Sequence, residues 1–243
     1  MDIAFLRDVF LSLMKGVPLT LQLAGSSIAL GLLIALFLAI ALHAGPLILV
    51  WPIRGFVTAF RGTPLLVQIF LIYYGLGQFR PSLQVLGLWG FFREPYWCAI
   101  LALTLNTAAY GTEIIRGGLQ SVPYGQIEAA RACGMSPWLV YRRVMLPIAL
   151  RQALPSYGNE IILMIKGTSL TSIVTLLEVT GIAQQIISQT YRALEVFICA
   201  GAIYLTLNFI ITRLLGALEY WLSVHLRAAP DFDRSASMEG APT

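Results

Sequence analysis

The chain has 243 residues, 58% of them hydrophobic and 12% charged, with a formal net charge of +4 and a mean hydropathy of +0.77. Soluble domains carry about a quarter charged residues, and residues 16 to 53 hold no Asp, Glu, Lys or Arg at any of 38 positions, so an ordinary soluble enzyme is excluded and lipid is the required solvent. Sixteen Lys and Arg spread between apolar runs suit membrane-orienting loops better than a nucleic-acid surface.

Before the first apolar run, Ile3, Leu6, Val9, Phe10 and Leu13 share one helical face, which predicts an interfacial helix. Asp2 and Asp8 spoil the basic start of a cleavable signal peptide, so the first span is expected to stay in the mature chain. Charge-poor runs of ~20 residues predict five spans, near 19–42, 56–78, 96–117, 155–178 and 196–219. His43 stands at the end of the first span, where an interfacial role suits a lone histidine better than a ligand or proton relay. Thr63 is expected to cap the second span, with Pro64 at its first helical position. Tyr73, Tyr74, Trp89, Tyr96 and Trp97 suit an aromatic belt at the outer boundary. The fourth span carries Glu160, Lys166 and the polar stretch Gly167, Thr168, Ser169, which predicts a short or broken helix. From about Arg227 the apolar period is lost, so residues 227–243 are predicted to be a disordered cytoplasmic tail. Cys98, Cys133 and Cys199 are far apart and form no CxxC, indicating neither a metal site nor a disulfide framework.

Orientation follows from the basic residues. The loop after the third span holds Arg131, Arg142, Arg143 and Arg151 against Glu128 alone, which predicts a cytoplasmic position. Alternation then places the N-terminus outside and the C-terminus inside. Arg54, Arg61 and Arg116 fall on the cytoplasmic side, while Arg80, Arg93 and Arg192 fall outside.

A carboxylate at the bilayer centre costs roughly 2.5 to 3.5 kcal/mol on insertion scales, so Glu113, Glu160 and Lys166 are expected to face protein or a water-filled cavity. Asn106, Tyr110 and Glu113 follow an i, i+4, i+7 pattern and form one stripe on the third span. Two readings stand: a substrate-contacting stripe, or hydrogen bonding between helices with Glu113 paired to Lys166 or Arg116. On the fourth span Asn159 and Lys166 share a face, with Lys166 expected in an ion pair or tethering the break. Thr168 and Ser169, at the break, are expected to expose hydroxyls to a cavity and are candidate substrate contacts.

Residues 121–147 read SVPYGQIEAARACGMSPWLVYRRVMLP and carry clear helix punctuation. Pro123 suits a first helical turn, and Ala129, Ala130 and Ala132 favour helix. Gly134 stands at a left-handed C-cap, and Ser136 with Pro137 opens a second helix that Pro147 is expected to stop. Small alanines beside Glu128 and Arg131 fit either a docking knob or a solvated amphipathic loop.

Glu128-Ala129-Ala130, then Gly134, then Val144, Leu146 and Pro147 resemble the EAA loop of bacterial ABC-importer permeases, with valine where isoleucine is usual. FRGTPLLVQIFLIYYGL (60–76), LALTLNTAAYGTEIIRGGLQSVP (101–123) and LPSYGNEIILMIKGTSL (154–170) are similar to polar amino acid uptake permeases, especially those for histidine, arginine and opines.

The resemblance implies an all-α integral membrane protein of the type I permease fold, covering residues 1–226, in the bacterial inner membrane. It implies a second, identical or homologous permease subunit and a periplasmic substrate-binding protein. It also implies a cytoplasmic ATPase dimer gripping Glu128, Ala129, Ala130 and Gly134, and a cargo of basic amino acids or opines. No P-loop is present, since Lys15 and Lys166 are each followed by Gly, so ATP chemistry belongs to another chain and this one is expected to hold no cofactor and to catalyse nothing. The alternative is a secondary transporter coupled to an ion gradient through Glu113 and His43. A cavity-facing Glu113 would favour a cationic group on the cargo, with acidic amino acids the least favoured.

Overall fold

A computed structural model of the chain describes residues 2–222; the expected tail from 227 onward lies outside them. The described residues are helical throughout, with short turns. Helix α1 (Ile3–Met14) leads through a tight turn into α2 (Val17–Ala44), followed by α3 (Leu47–Gly62) and α4 (Leu65–Gln78). Two short helices, α5 (Arg80–Val85) and α6 (Trp89–Phe92), precede the long α7 (Pro95–Gln120). Helix α8 (Tyr124–Ala132), the rod α9 (Pro137–Val174), α10 (Val179–Thr190) and α11 (Ala193–Leu222) complete the order. Three stretches are long and apolar enough to cross a membrane, and the bent pairs α3–α4 and α9–α10 raise the number to five.

Helix α7 is the centre. It packs along α2, against α9 and against α3, and fifteen of its residues are buried. Close approach depends on small residues, the means by which helices associate in lipid. Ala35 and Ala39 of α2 and Ala108 and Ala109 of α7 are completely enclosed, and Gly118 lies directly against the Ala149 carbonyl of α9.

Several local expectations change. Helix α1 uses a narrower face than its sequence suggests: Val9 and Leu13 are buried against α10 and α11, while Ile3 stays exposed. Thr63 does not cap the second span. It ends α3 in extended conformation (φ −115°, ψ 144°), because the following proline disfavours the helical region, and Pro64 takes the N-cap position of α4. The chain therefore turns by 110° between α3 and α4. Pro123 likewise precedes α8 as its N-cap. Pro147 does not stop its helix: a π-helical stretch, Tyr141–Met145, ends two positions before it, and Leu146–Gly167 continues the rod. The widened turn accommodates a ring and a missing N–H that would break a regular helix. In the fourth span the polar residues at 167–169 only tighten the rod into a 3-10 stretch, Thr168–Val174; the break comes later, at Thr175, whose φ is 67°.

Overpacking one helix seam tests this arrangement. Gly118→Val should lower stability by about 1–3 kcal/mol, read as a reduced thermal midpoint of the purified protein, because its side chain meets the Ala149 backbone. Gly55→Ala, where the added Cβ meets nothing within 4 Å, should not lower the midpoint.

Candidate functional site

The predicted stripe on α7 is brought together with the α3–α4 bend. Asn106 is buried and donates through Nδ2 to Gln68 Oε1 at 2.9 Å. Gln68, which the sequence reading passed over, in turn donates to the carbonyls of Phe60 (2.7 Å) and Thr63 (3.0 Å) and to the Thr63 hydroxyl (2.9 Å). One amide thus satisfies acceptors at the end of α3 and fastens the bend to α7.

One turn further, the Tyr110 hydroxyl donates to the Arg61 carbonyl at 3.5 Å, and the Arg61 guanidinium lies 5.4 Å from the Tyr110 ring centroid. Glu113 accepts from Arg116 Nε at 3.1 Å and Nη2 at 2.6 Å, with Arg61 Nη1 at 3.9 Å. Of the two partners expected for Glu113, the structure pairs it with Arg116. Lys166 is exposed on another helix.

Thr168 does not offer its hydroxyl to an open cavity, and the Ser169 hydroxyl, at a partly exposed position, is held by its own turn. Thr168 is fully buried and donates to the Ile165 carbonyl at 2.7 Å; Ser169 donates to the Lys166 carbonyl at 2.7 Å. Hydroxyls in a tight helical turn are captured by the carbonyl three residues back.

Two hollows flank Glu113. The larger, about 700 Å³, lies between the end of α2, α3 and the end of α7, and includes His43, Arg54, Thr58, Arg61, Arg116 and Gln120. The other, about 500 Å³, lies between α7 and α9, where Ser121 hydrogen-bonds Gln152. Gln152 and Ser156 of this hollow continue along α9 into Asn159 and Lys166 as an exposed polar line that Leu163 interrupts.

At the same end of the bundle sits the α8–α9 loop. Gly134 has φ +76°, and the Met135 N–H reaches the Ala130 carbonyl (3.2 Å) while the Gly134 N–H reaches that of Arg131 (2.9 Å), so the left-handed C-cap read from sequence is present. Ser136 caps α9 through the Leu139 N–H at 3.4 Å, with Pro137 next. Glu128 and Ala129 are exposed, whereas Ala130 is buried against the bundle. Tyr124 and Trp138 stand 65% and 66% exposed beside them.

Helical spans around polar hollows, with a folded helix–glycine–helix loop at one end, define a membrane transport subunit. Residues 27–224 match the model of the family described as binding-protein-dependent transport system inner membrane component. The chain is 58% identical over 221 residues to an octopine transport system permease protein of Rhizobium meliloti, covering 91% of this chain and 90% of that one. It is 45% identical over 172 residues to the arginine ABC transporter permease protein of Escherichia coli K12, covering 71% and 77% respectively. A crystal structure of an amino acid ABC transporter with histidines superimposes with a TM-score of 0.81 at 34% identity, covering 90% of this chain and 98% of that one.

The chain belongs to the binding-protein-dependent inner-membrane permeases. It is a non-catalytic, multi-pass subunit without a cofactor, whose partners include an ATPase that consumes ATP and a substrate-binding protein. The ion-coupled alternative is thereby set aside.

The pairing at Glu113 is directly testable. A double-mutant cycle on stability with Glu113→Gln and Arg116→Gln should give a coupling of about 1 kcal/mol. The same cycle with Lys166→Met should give none, and the reverse pattern would reinstate the lysine as partner.

Proposed function

We propose that this permease works with a second membrane subunit, identical or homologous, and that the two enclose a path for an opine or a basic amino acid. The observation that carries this reading is the exposed polar line Gln152, Ser156, Asn159 and Lys166 on α9, interrupted by Leu163, beside Gly117 and Ser121 at the end of α7. Lipid is a poor solvent for such a face, so water or another subunit covers it. Similarity to the octopine and arginine permeases supports the choice of cargo.

In this reading Tyr110 and Glu113 border the path, and Asn106 sets their position through Gln68. Thr168 and Ser169 shape the path through their backbone turn rather than by donating hydroxyls to cargo. The N-terminus lies outside and the C-terminus inside, which puts the α8–α9 loop against the ATPases, with Glu128, Ala129, Ala130 and Gly134 as the coupling contacts. Closure of the ATPases on ATP tilts the helices around the path, exposing it alternately to each side.

Reconstitution with the ATPase and binding-protein partners tests the reading. ATP-dependent uptake of octopine or arginine is expected, and uptake of neither would overturn the cargo. Gly134→Val should cut uptake at least about tenfold, since a β-branched residue is strained at positive φ; normal uptake would remove this turn from coupling. A cysteine at Gln126 should react only with reagents reaching the cytoplasm, and one at Gln84 only from outside; reversed labelling would invert the orientation.

A further inference from the structure

The larger hollow beside Glu113 has a charge opposite to the one expected from its carboxylate. Three guanidiniums, those of Arg54, Arg61 and Arg116, line it against the single carboxylate of Glu113. That carboxylate is already occupied by Arg116 at 2.6 Å, with Arg61 at 3.9 Å. Arg54 is exposed on α3 and makes no ion pair among the described residues. Two positive charges thus stand in excess inside a partly enclosed space, which concentrates anions. A guanidinium fork suits an oxyanion in particular, because two parallel N–H groups meet two oxygens.

Place and size narrow the ligand. At about 700 Å³ the hollow admits an amino acid conjugate with its water. His43 lines this hollow and also the groove beside Trp138 and Tyr141, so the site lies at the loop end of the bundle. Glu113 borders both this hollow and the one between α7 and α9, so a single side chain stands between the two. The lipid-suited part of α3 is at its other end, where Leu47, Ile48 and Trp51 are 70% exposed or more. The excess charge therefore gathers at the Glu113 end of α3, away from that apolar end.

We propose that this hollow is an anion site on the ATPase side of the path, and that it favours cargo bearing a second carboxylate over a simple basic amino acid. This rests on the importer reading above. A single α-carboxylate brings one negative charge alongside the repelled ammonium and guanidinium groups of arginine. Octopine places a second carboxylate on the same arginine frame, giving Arg54 and Arg61 an oxyanion each.

The test is equilibrium binding of radiolabelled octopine and arginine to the assembled membrane complex in phosphatidylcholine nanodiscs. Octopine is expected to bind about tenfold more tightly than arginine. Arg54→Gln should remove that preference by weakening octopine binding while arginine, relieved of one repelling charge, binds no more weakly than before, and Arg54→Lys should retain part of the preference. Equal affinities in the wild type, or a preference that survives Arg54→Gln, would overturn the proposal. Should phosphatidylglycerol added to the nanodiscs abolish octopine binding and itself co-purify with wild type but not with Arg54→Gln, the occupant is a lipid phosphate and the cargo assignment falls. Uptake measured on the same complex keeps the two readings apart, because failure to move either compound rejects the importer cargo whereas the binding ratio still decides the anion site.

Discussion

A backbone that breaks among packed apolar helices has little water to satisfy its freed N–H and C=O groups, and the architecture depends on how two such breaks are sealed. At the α3–α4 bend the seal is Gln68, which satisfies carbonyls of Phe60 and Thr63 and is held by Asn106 of α7. At the α9–α10 break it is Glu178, with 0% exposure. Its Oε1 accepts from the Gly181 N–H at 2.8 Å and its Oε2 from the Tyr204 hydroxyl at 2.6 Å, while the neighbouring Val179 N–H reaches Thr20 of α2 at 3.4 Å. One side chain therefore caps α10, ties it to α11 and keeps the break beside α2. Both seals use groups that bond in several directions, so each bend is fixed against other helices as well as closed.

Fixed bends determine where charge can stand. The 110° turn carries the end of α3 across to α7, which is why Arg61 meets Tyr110 and Glu113 although it lies 49 residues before Tyr110 and 52 before Glu113. A straight second span would place Arg61 elsewhere and leave Glu113 with its i+3 neighbour alone. The bend thus converts a neutral pair, Glu113 with Arg116 on α7, into a net positive site.

What was legible in the sequence was local. Span composition, the Gly134 cap, the Ser136–Pro137 start and the i, i+4, i+7 stripe depend on residues within a few positions of one another, and the structure contains all of them. Pro147 was misread because a π turn just upstream depends on packing around Tyr141 and Met145, not on the proline's neighbours. Gln68 and Glu178 were passed over because a polar residue near a span end looks like an ordinary boundary, and only the fold reveals what it bonds. Thr168 suggested an open hydroxyl, but a tightened turn satisfied it internally. Arg54 was counted only as a loop charge, since nothing in the chain order brings α3 to the end of α7.

The buried cluster beneath the loop explains how one contact could act on the whole path. Ala130 of α8 joins Ile115 and Leu119 of α7, Val140, Tyr141, Met145 and Ala149 of α9, and Ala35 and Ala39 of α2. Interiors of this density transmit displacement rather than absorb it. Movement of α8 toward or away from the bundle is therefore felt by three helices together, and two of them, α7 and α9, border the hollow that Glu113 shares with Gln152. The π turn at Tyr141–Met145 lies within this cluster, where a ladder with one longer hydrogen-bond ring gives α9 a place to bend. Gly118 against Ala149 holds α7 and α9 in contact just above it. The proposed path and the loop are in this way joined through one buried cluster, and a rigid-body tilt about it would change the path without opening either sealed break.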